Sequence, residues 1–211
     1  MTYPFIHRDI AESLYLSLCQ DPFYLKIGRT DANDPAAYQE AMLRYFDFSM
    51  DEGRKNGELY LPEGGRFGAS VWLKPLDDGL SEQMHDEKTN FMRQNLGEES
   101  LKLYTDIVAF MSEKSKDIVP AGSWYLSILG IAPQYQNQGL GRKLVQPVLD
   151  EADDFGVPSY LETFSSRNRS FYQRLGYRES GSFIEPVTGS EYWIMTREPF
   201  AGCSEKMRVE N

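Results

Sequence analysis

A mixed α/β layer domain is predicted for this chain, and three observations predict it. The run Trp124–Ile131 is apolar except for Ser127, as expected of a central strand buried on both faces. The C-terminal half alternates strand, helix, strand, short helix, and then two strands. The N-terminal half supplies amphipathic helices and a hairpin, the layers such a sheet needs. At about 100–200 residues per domain, the 211 residues are read as one domain over 1–198 and a tail over 199–211. No repeat or low-complexity linker interrupts it.

The elements follow in order. A first helix is predicted from Asp9, with Ile10, Leu14 and Leu18 on one face and Asp21-Pro22 as its stop. Asp34-Pro35 opens the next helix, because the carboxylate caps free N–H groups and proline suits a first turn. Tyr38, Met42, Tyr45, Phe46 and Ser49 keep helical spacing, and Gly53 and Gly57 mark the exit. Glu58–Leu61 and Phe67–Leu73 read as a hairpin around Pro62-Glu63-Gly64-Gly65. Residues 80–118 are helical in pattern, with Gly97 as a breaker, and form either a lid over a site or a layer packed on the sheet. A helix is predicted from Gln138, with Leu140, Leu144, Val148 and Ala152 every four residues and a bend at Pro147. Then come a strand at Tyr160–Phe164, a short helix at Asn168–Leu175, and strands at Tyr177–Phe183 and Tyr192–Thr196.

Composition narrows the function. Acidic residues outnumber basic ones 32 to 22, for a net charge of -10. That argues against nucleic acid and against an anionic membrane surface, both of which need a basic footprint. Cys19 and Cys203 form no CxxC, and two histidines, His7 and His85, give little material for a metal site or a Ser-His-Asp triad. No apolar run reaches the ~18 residues of a membrane span. The N-terminus lacks a basic stretch followed by an apolar one, so a cytoplasmic protein is expected.

Two segments carry chemistry. In the first, the strand ending at Leu129-Gly130-Ile131 runs through Gln136-Asn137-Gln138-Gly139-Leu140-Gly141-Arg142 into a helix. Free N–H groups at a helix start attract anions, and glycines let a phosphate approach the backbone. A plain strand-to-helix turn gives the same local pattern. In the second, the strand with Leu161-Glu162-Thr163 leads through a polar loop to Asn168, Phe171-Tyr172 and Gly176-Tyr177. The aromatic pair is either core packing or, for Tyr172, a phenol aimed at the strand end.

Together these segments resemble the GNAT superfamily of acyl-CoA-dependent N-acyltransferases. Gln136-Asn137-Gln138-Gly139-Leu140-Gly141 matches its pyrophosphate motif Q/R-x-x-G-x-G/A, and Asn168 to Tyr177 matches its Asn…Phe-Tyr-x-x-x-Gly-aromatic segment. The close match covers residues 123–183. Trp124–Ser127, Leu144–Leu149 and Tyr160–Thr163 look most like the branch containing puromycin N-acetyltransferase. The resemblance implies a mixed, mainly antiparallel sheet of about six or seven strands, flanked by helices and splayed at the central strand. The family's usual first strand is short or absent, since Asp9 already opens a helix.

The resemblance also implies a chemistry. Acetyl-CoA would be the co-substrate, its pantetheine arm pairing with the backbone of Leu129, Gly130 and Ile131. Its pyrophosphate would rest on the N–H groups of Gln136, Asn137, Gln138, Gly139, Leu140, Gly141 and Arg142, and Asn168 would hold the thioester end. The N–H of Ile131 would stabilise the oxyanion, and Tyr172 would protonate the leaving thiolate. Glu162 is the best candidate for the base, directly or through water, or else a structural glutamate paired with an Arg or Tyr. Phe23, Tyr24, Tyr45, Trp72, Tyr125, Tyr192 and Trp193 are candidate pocket walls, each of which also suits core packing. A small-molecule amine acceptor and a monomer or homodimer are expected. The alternatives are a protein lysine or N-terminal acetyltransferase, with an open groove beside Trp72 and Trp193, and a non-catalytic acyl-CoA-binding module.

Overall fold

The computed structural model of the protein describes residues 3–28 and 34–200. Cys203 and all but the first two residues of the expected tail lie outside the described residues. One sheet of six strands organises the chain: β1 (Gly57–Tyr60), β2 (Gly68–Leu73), β3 (Trp124–Ile131), β4 (Ser159–Thr163), β5 (Arg178–Glu185) and β6 (Ser190–Arg197). Their spatial order is β1-β2-β3-β4-β6-β5. Neighbours are antiparallel except β3 and β4, which run parallel. The mixed, mainly antiparallel sheet expected from the sequence is present with six strands. Among the described residues no strand precedes the first helix.

Helices α1 (Arg8–Leu18), α2 (Pro22–Ile27), α3 (Pro35–Asn56), α4 (Asp78–Asn95) and α5 (Glu98–Ser115) form one layer. Their apolar faces bury Leu14, Met42, Phe46 and Ile107 against Val71 and Ile128 of the sheet. The other face is covered by α6 (Leu140–Phe155) and α7 (Arg169–Gln173), whose Val145, Leu149 and Tyr172 pack with Trp72, Trp124, Leu126 and Trp193.

Local chemistry explains where the helices begin. Asp34 accepts from the N–H groups of Ala36 and Ala37 at 3.0 Å each, with Pro35 in the first turn. Asp77 does the same for Leu80 at 2.9 Å. Asp21-Pro22 corrects the sequence reading: the pair also opens a second helix. Asp21 accepts the Phe23 N–H at 2.9 Å, and Pro22 fills the first turn, so the residues that end α1 also start α2. The helix at Pro147 runs unbroken from Leu140 to Phe155. Pro147 is on the exposed side, where water can satisfy the carbonyl that proline leaves without a donor.

The central strand departs from expectation in an instructive way. Burial along β3 alternates rather than being complete on both faces. Val71 of β2 pairs with Ile128, but the next residue, Trp72, pairs with Leu126, so Ser127 is the extra residue of a β-bulge. The bulge inverts the alternation. Before it, Trp124 and Leu126 face α6; after it, Ile128 faces the N-terminal helices, and Gly130 also meets α1 there. An apolar run without alternation is the trace that this switch leaves in the sequence.

The last strand is clipped to α6 by Arg197, which is 2% exposed. Its guanidinium donates to both carboxylate oxygens of Asp153 at 2.8 and 2.6 Å, and its Nε donates to the Leu175 carbonyl at 3.0 Å. Removing one partner leaves a buried charge uncompensated. Asp153→Ala is expected to destabilise the protein by about 3–5 kcal/mol, read as the urea midpoint of equilibrium unfolding. A change below ~1 kcal/mol would show that the guanidinium is rehydrated at little cost.

Candidate active site

The site follows from an interruption in the sheet. Parallel pairing of β3 with β4 lasts three residues, Trp124–Leu126 against Ser159–Leu161, and then stops. Beyond it the strands diverge, which is the splay expected from the sequence. The Ala132 N–H donates to the Phe67 carbonyl at 2.8 Å. By antiparallel alternation, the N–H and C=O groups of Ile131 and Leu129 therefore point away from β2 and into the gap. Those of Ile131 already have partners. Its N–H donates to Ser17 Oγ at 3.1 Å, and its carbonyl accepts from Gln136 Nε2 at 2.8 Å.

A groove of about 960 Å³ opens on one side of the gap. Leu129, Ile131, Gln136, Asn137, Gly139, Leu140, Gly141, Asn168 and Tyr172 line it. The loop from β3 to α6 takes a left-handed backbone at Asn137 (φ 61°) and at Gly139 (φ 74°). The Gln136 N–H is bonded within the loop, to the Pro133 carbonyl at 3.2 Å, and the N–H groups of the first turn of α6 have no intrahelical partners. That first turn carries no acidic residue. A Cβ on Gly139 would meet open space, whereas one on Gly141 would come within 3.1 Å of the Phe171 ring. Gly139 is thus demanded by its backbone and Gly141 by packing under Phe171.

Three of the sequence candidates do not line the groove. Gly130 sits beneath α1, where a Cβ would lie 2.7 Å from Leu14, so its smallness serves helix-to-sheet packing. Gln138 turns back to the Gln134 carbonyl at 3.2 Å. Arg142 lies along the exposed side of α6 with Gln146 at 3.1 Å. Side-chain direction within a loop depends on backbone dihedrals that spacing does not reveal.

On the other side of the gap is a cavity of about 370 Å³. Glu162 enters it from β4, and Phe23, Tyr24, Tyr45, Tyr104, Tyr125 and Tyr160 form much of its wall. Met84, His85 and Lys88 of α4 and Val108 and Met111 of α5 close it, so the helical segment over 80–118 is a wall of this cavity. Lys88 pairs with Glu52 at 2.8 Å, and the two side chains are 10% and 9% exposed. Trp72 and Trp193, candidate pocket walls in the sequence, are buried on the α6 face, so no open groove runs beside them. Tyr192 is buried with its hydroxyl lacking a partner and does not line the cavity. Period-two alternation puts neighbouring strand residues on opposite faces, and composition cannot say which face is which.

The titratable groups are strongly perturbed. Burial pushes the Glu162 carboxyl up to about 7, and the nearby Tyr125 phenol offsets part of that cost. Its Oε1 is buried without a hydrogen-bond partner. Burial also raises the Tyr172 phenol, with the neighbouring Tyr177 and Asp21 adding to the effect. Tyr172 therefore keeps its proton at neutral pH. Asp21, which the sequence reading used only as a helix stop, is raised to about 6 by burial. It lines both the cavity and the groove. Sequence offered one signal for it, an acidic residue at a helix–helix junction. Among the described residues no cluster of His, Cys, Asp and Glu could hold a metal, and no helix is long and apolar enough to cross a membrane.

Comparison with known proteins agrees with this geometry. The chain is 24% identical over 206 residues to an uncharacterized N-acetyltransferase of Schizosaccharomyces pombe, covering 92% of this chain and 80% of that one. Its fold matches the arylalkylamine N-acetyltransferase 2 of Aedes aegypti with a TM-score of 0.63 and 13% identity, over 92% of this chain and 94% of that one. It also matches the histone acetyltransferase HPA2 and related acetyltransferase of Corynebacterium glutamicum with a TM-score of 0.62 and 19% identity, over 92% and 91%. Residues 32–177 match the model of the acetyltransferase (GNAT) family. With a sheet splayed between β3 and β4, a glycine-bearing loop at the head of α6 and a family match over most of its length, this chain belongs to the acetyltransferase (GNAT) family.

Proposed function

We propose that the protein transfers the acetyl group of acetyl-CoA to the primary amine of a small molecule, by direct transfer in a ternary complex. One observation carries this reading: a groove at the head of α6 and a cavity walled by aromatic rings share lining residues, and in the cavity Glu162 Oε1 is buried without a hydrogen-bond partner. The start of α6 suits a pyrophosphate, since helix starts favour anions and no acid lies in its first turn. The cavity's volume of about 370 Å³ suits a small acceptor, and its aromatic walls suit an apolar body behind the amine. The name of the mosquito relative points the same way. The likeness of Trp124–Ser127, Leu144–Leu149 and Tyr160–Thr163 to the puromycin N-acetyltransferase branch supports a small acceptor too. From sequence alone, we read the enzyme as cytoplasmic and as a monomer or homodimer, folded as one domain over 1–198.

In this reading the amine loses a proton to Glu162, directly or through water, and its nitrogen attacks the thioester carbonyl. The carbon–sulfur bond then breaks, and Tyr172 gives its proton to the departing thiolate, leaving an N-acetyl amine and the free thiol of CoA. The developing oxyanion needs an N–H donor in the gap. Ile131 supplies one once Ser17 releases it, and the N–H of Leu129 faces the same space. Asn168 lines both cavities, as a residue beside the thioester should.

A thiol-release assay with acetyl-CoA over a panel of aryl amines, polyamines, aminonucleosides and peptides tests the proposal. Turnover is expected with a small amine and is expected to vanish in Gly139→Asp, whose carboxylate would oppose the phosphates. Turnover on peptides alone would overturn the small-molecule reading, and binding of acetyl-CoA without turnover on any amine would make the protein a sensor. In the same assay, Tyr172→Phe is expected to lower kcat by roughly 10²–10⁴-fold while nearly preserving acetyl-CoA affinity. A fall below about tenfold would assign proton delivery to solvent.

The base role of Glu162 has a separate signature. Its folded carboxyl is raised from 4.5 to about 7, so the stability this group contributes is full below the unfolded value and is lost as pH rises through about 7. Glu162→Gln is expected to gain melting temperature relative to wild type as pH climbs from acidic to mildly alkaline. It is also expected to lose activity at neutral pH and to regain part of it where the amine deprotonates unaided. A flat ratio of mutant to wild-type kcat/KM across that range would remove Glu162 from proton transfer.

A further inference from the structure

The groove and the cavity share a seam. Leu18, Asp21, Leu129, Phe164, Asn168 and Tyr172 line both. An amine nitrogen and a thioester carbonyl must touch to react, so the seam is where two substrates, one from each side, would meet. Of the six residues, Asp21 is the one carboxylate. Its Oδ1 receives the Phe23 N–H as the cap of α2, which leaves Oδ2 without a helix partner. Among the described residues no lysine or arginine is paired with it, whereas Glu52, in the same cavity, is matched by Lys88. A second unmatched carboxylate faces the same space: Glu162, whose Oε1 is buried without a partner.

Two carboxylates without a counter-ion, one from the helical layer and one from the sheet, thus line one cavity, and a cation arriving there would favour their ionised forms. We propose that Asp21 anchors the acceptor as its ammonium ion at the seam, so that the enzyme selects amines arriving as cations. This rests on the acetyl-transfer reading above and assigns the two acids different work. Asp21 holds the charged nitrogen beside the thioester, Glu162 takes one proton to free its lone pair, and the second proton passes to the Tyr172 phenolate left when the thiolate is protonated. The partly buried setting of Asp21 fits this role, since an arriving cation would restore its ionised form.

The helix cap makes the test clean. Asparagine caps a helix about as well as aspartate but carries no charge, whereas alanine removes both cap and charge. With 2-phenylethylamine as acceptor, Asp21→Asn and Asp21→Ala are both expected to raise KM by roughly tenfold or more, with kcat changed by less than about threefold. Acetyl-CoA affinity by calorimetry and inhibition by uncharged 2-phenylethanol are expected to stay at wild-type values. Melting temperature is expected to fall in the alanine variant alone. An unchanged KM in Asp21→Asn would show that Asp21 is only a cap, and a parallel loss of acetyl-CoA affinity would move it to the cofactor side; either result overturns the proposal. Should the wild type bind acetyl-CoA yet acetylate no amine, the acetyl-transfer reading fails. Calorimetric binding of 2-phenylethylamine to the CoA-loaded protein then decides for Asp21. Roughly tenfold weaker binding in Asp21→Asn supports the anchor. Equal affinity, or no binding to the wild type, overturns it.

Discussion

The three-residue limit on pairing between β3 and β4 is the constraint on which the rest of the structure depends. A fully zipped parallel pair would use the N–H and C=O groups of Leu129 and Ile131 within the sheet. Because the strands part, those groups face a gap, and buried backbone polar groups need partners. Ser17 and Gln136 supply them for Ile131, drawing α1 and the β3–α6 loop to the two sides of the opening. The same divergence creates space on both sides of the gap, the groove under α6 and the cavity beneath the helices. Tyr172 and Asn168 reach both because α7 follows β4 by only a short loop.

The bulge at Ser127 works with the splay. It changes which face each residue of β3 presents just where the strands separate. Leu126 can therefore complete the core under α6 while Ile128 completes the core under the N-terminal helices. Both layers are anchored to one strand on either side of the site, so the opening does not cost the molecule its two cores. The Arg197–Asp153 pair and the Ser70 hydroxyl, which donates to the Leu144 carbonyl at 2.7 Å, tie α6 to the sheet at further points. These contacts hold α6, and with it the loop that precedes it, against the sheet.

Charge in the aromatic-walled cavity is handled unevenly, and the unevenness is chemical information. Lys88 and Glu52 neutralise one another and hold α4 to α3 beside the rings of Tyr45 and Phe48, at 4.9 and 4.8 Å. Glu162 and Asp21 have no such counter-ion, and burial shifts both toward the neutral acid. A purely structural carboxylate is normally matched within the fold. Carboxylates left unmatched in a concave, aromatic-walled space are poised to exchange a proton or to receive a cation.

Much was legible in the sequence because it depends on local rules. Asp34-Pro35 had to open a helix, and the stripe of Leu140, Leu144, Val148 and Ala152 had to face a core. The Gln136–Gly141 spacing, joined to Asn168…Phe171-Tyr172…Gly176, pointed to the family that the match over residues 32–177 shows. The tertiary structure alone decided which of those residues line the site. Gly130 packs under Leu14, and the side chains of Gln138 and Arg142 bond to the Gln134 carbonyl and to Gln146, because a side chain's direction depends on dihedrals and neighbours that a motif does not encode. Trp72 and Trp193 went to the core, while Tyr24, Tyr45 and Tyr125 went to the cavity, because composition is blind to which face of a helix or strand a residue occupies. Asp21 shows the difference most sharply. In sequence it is a helix boundary, fixed by local hydrogen bonding. Its place at the seam arises only when α1 and α2 fold back across the splayed strands, a contact between residues more than a hundred positions apart.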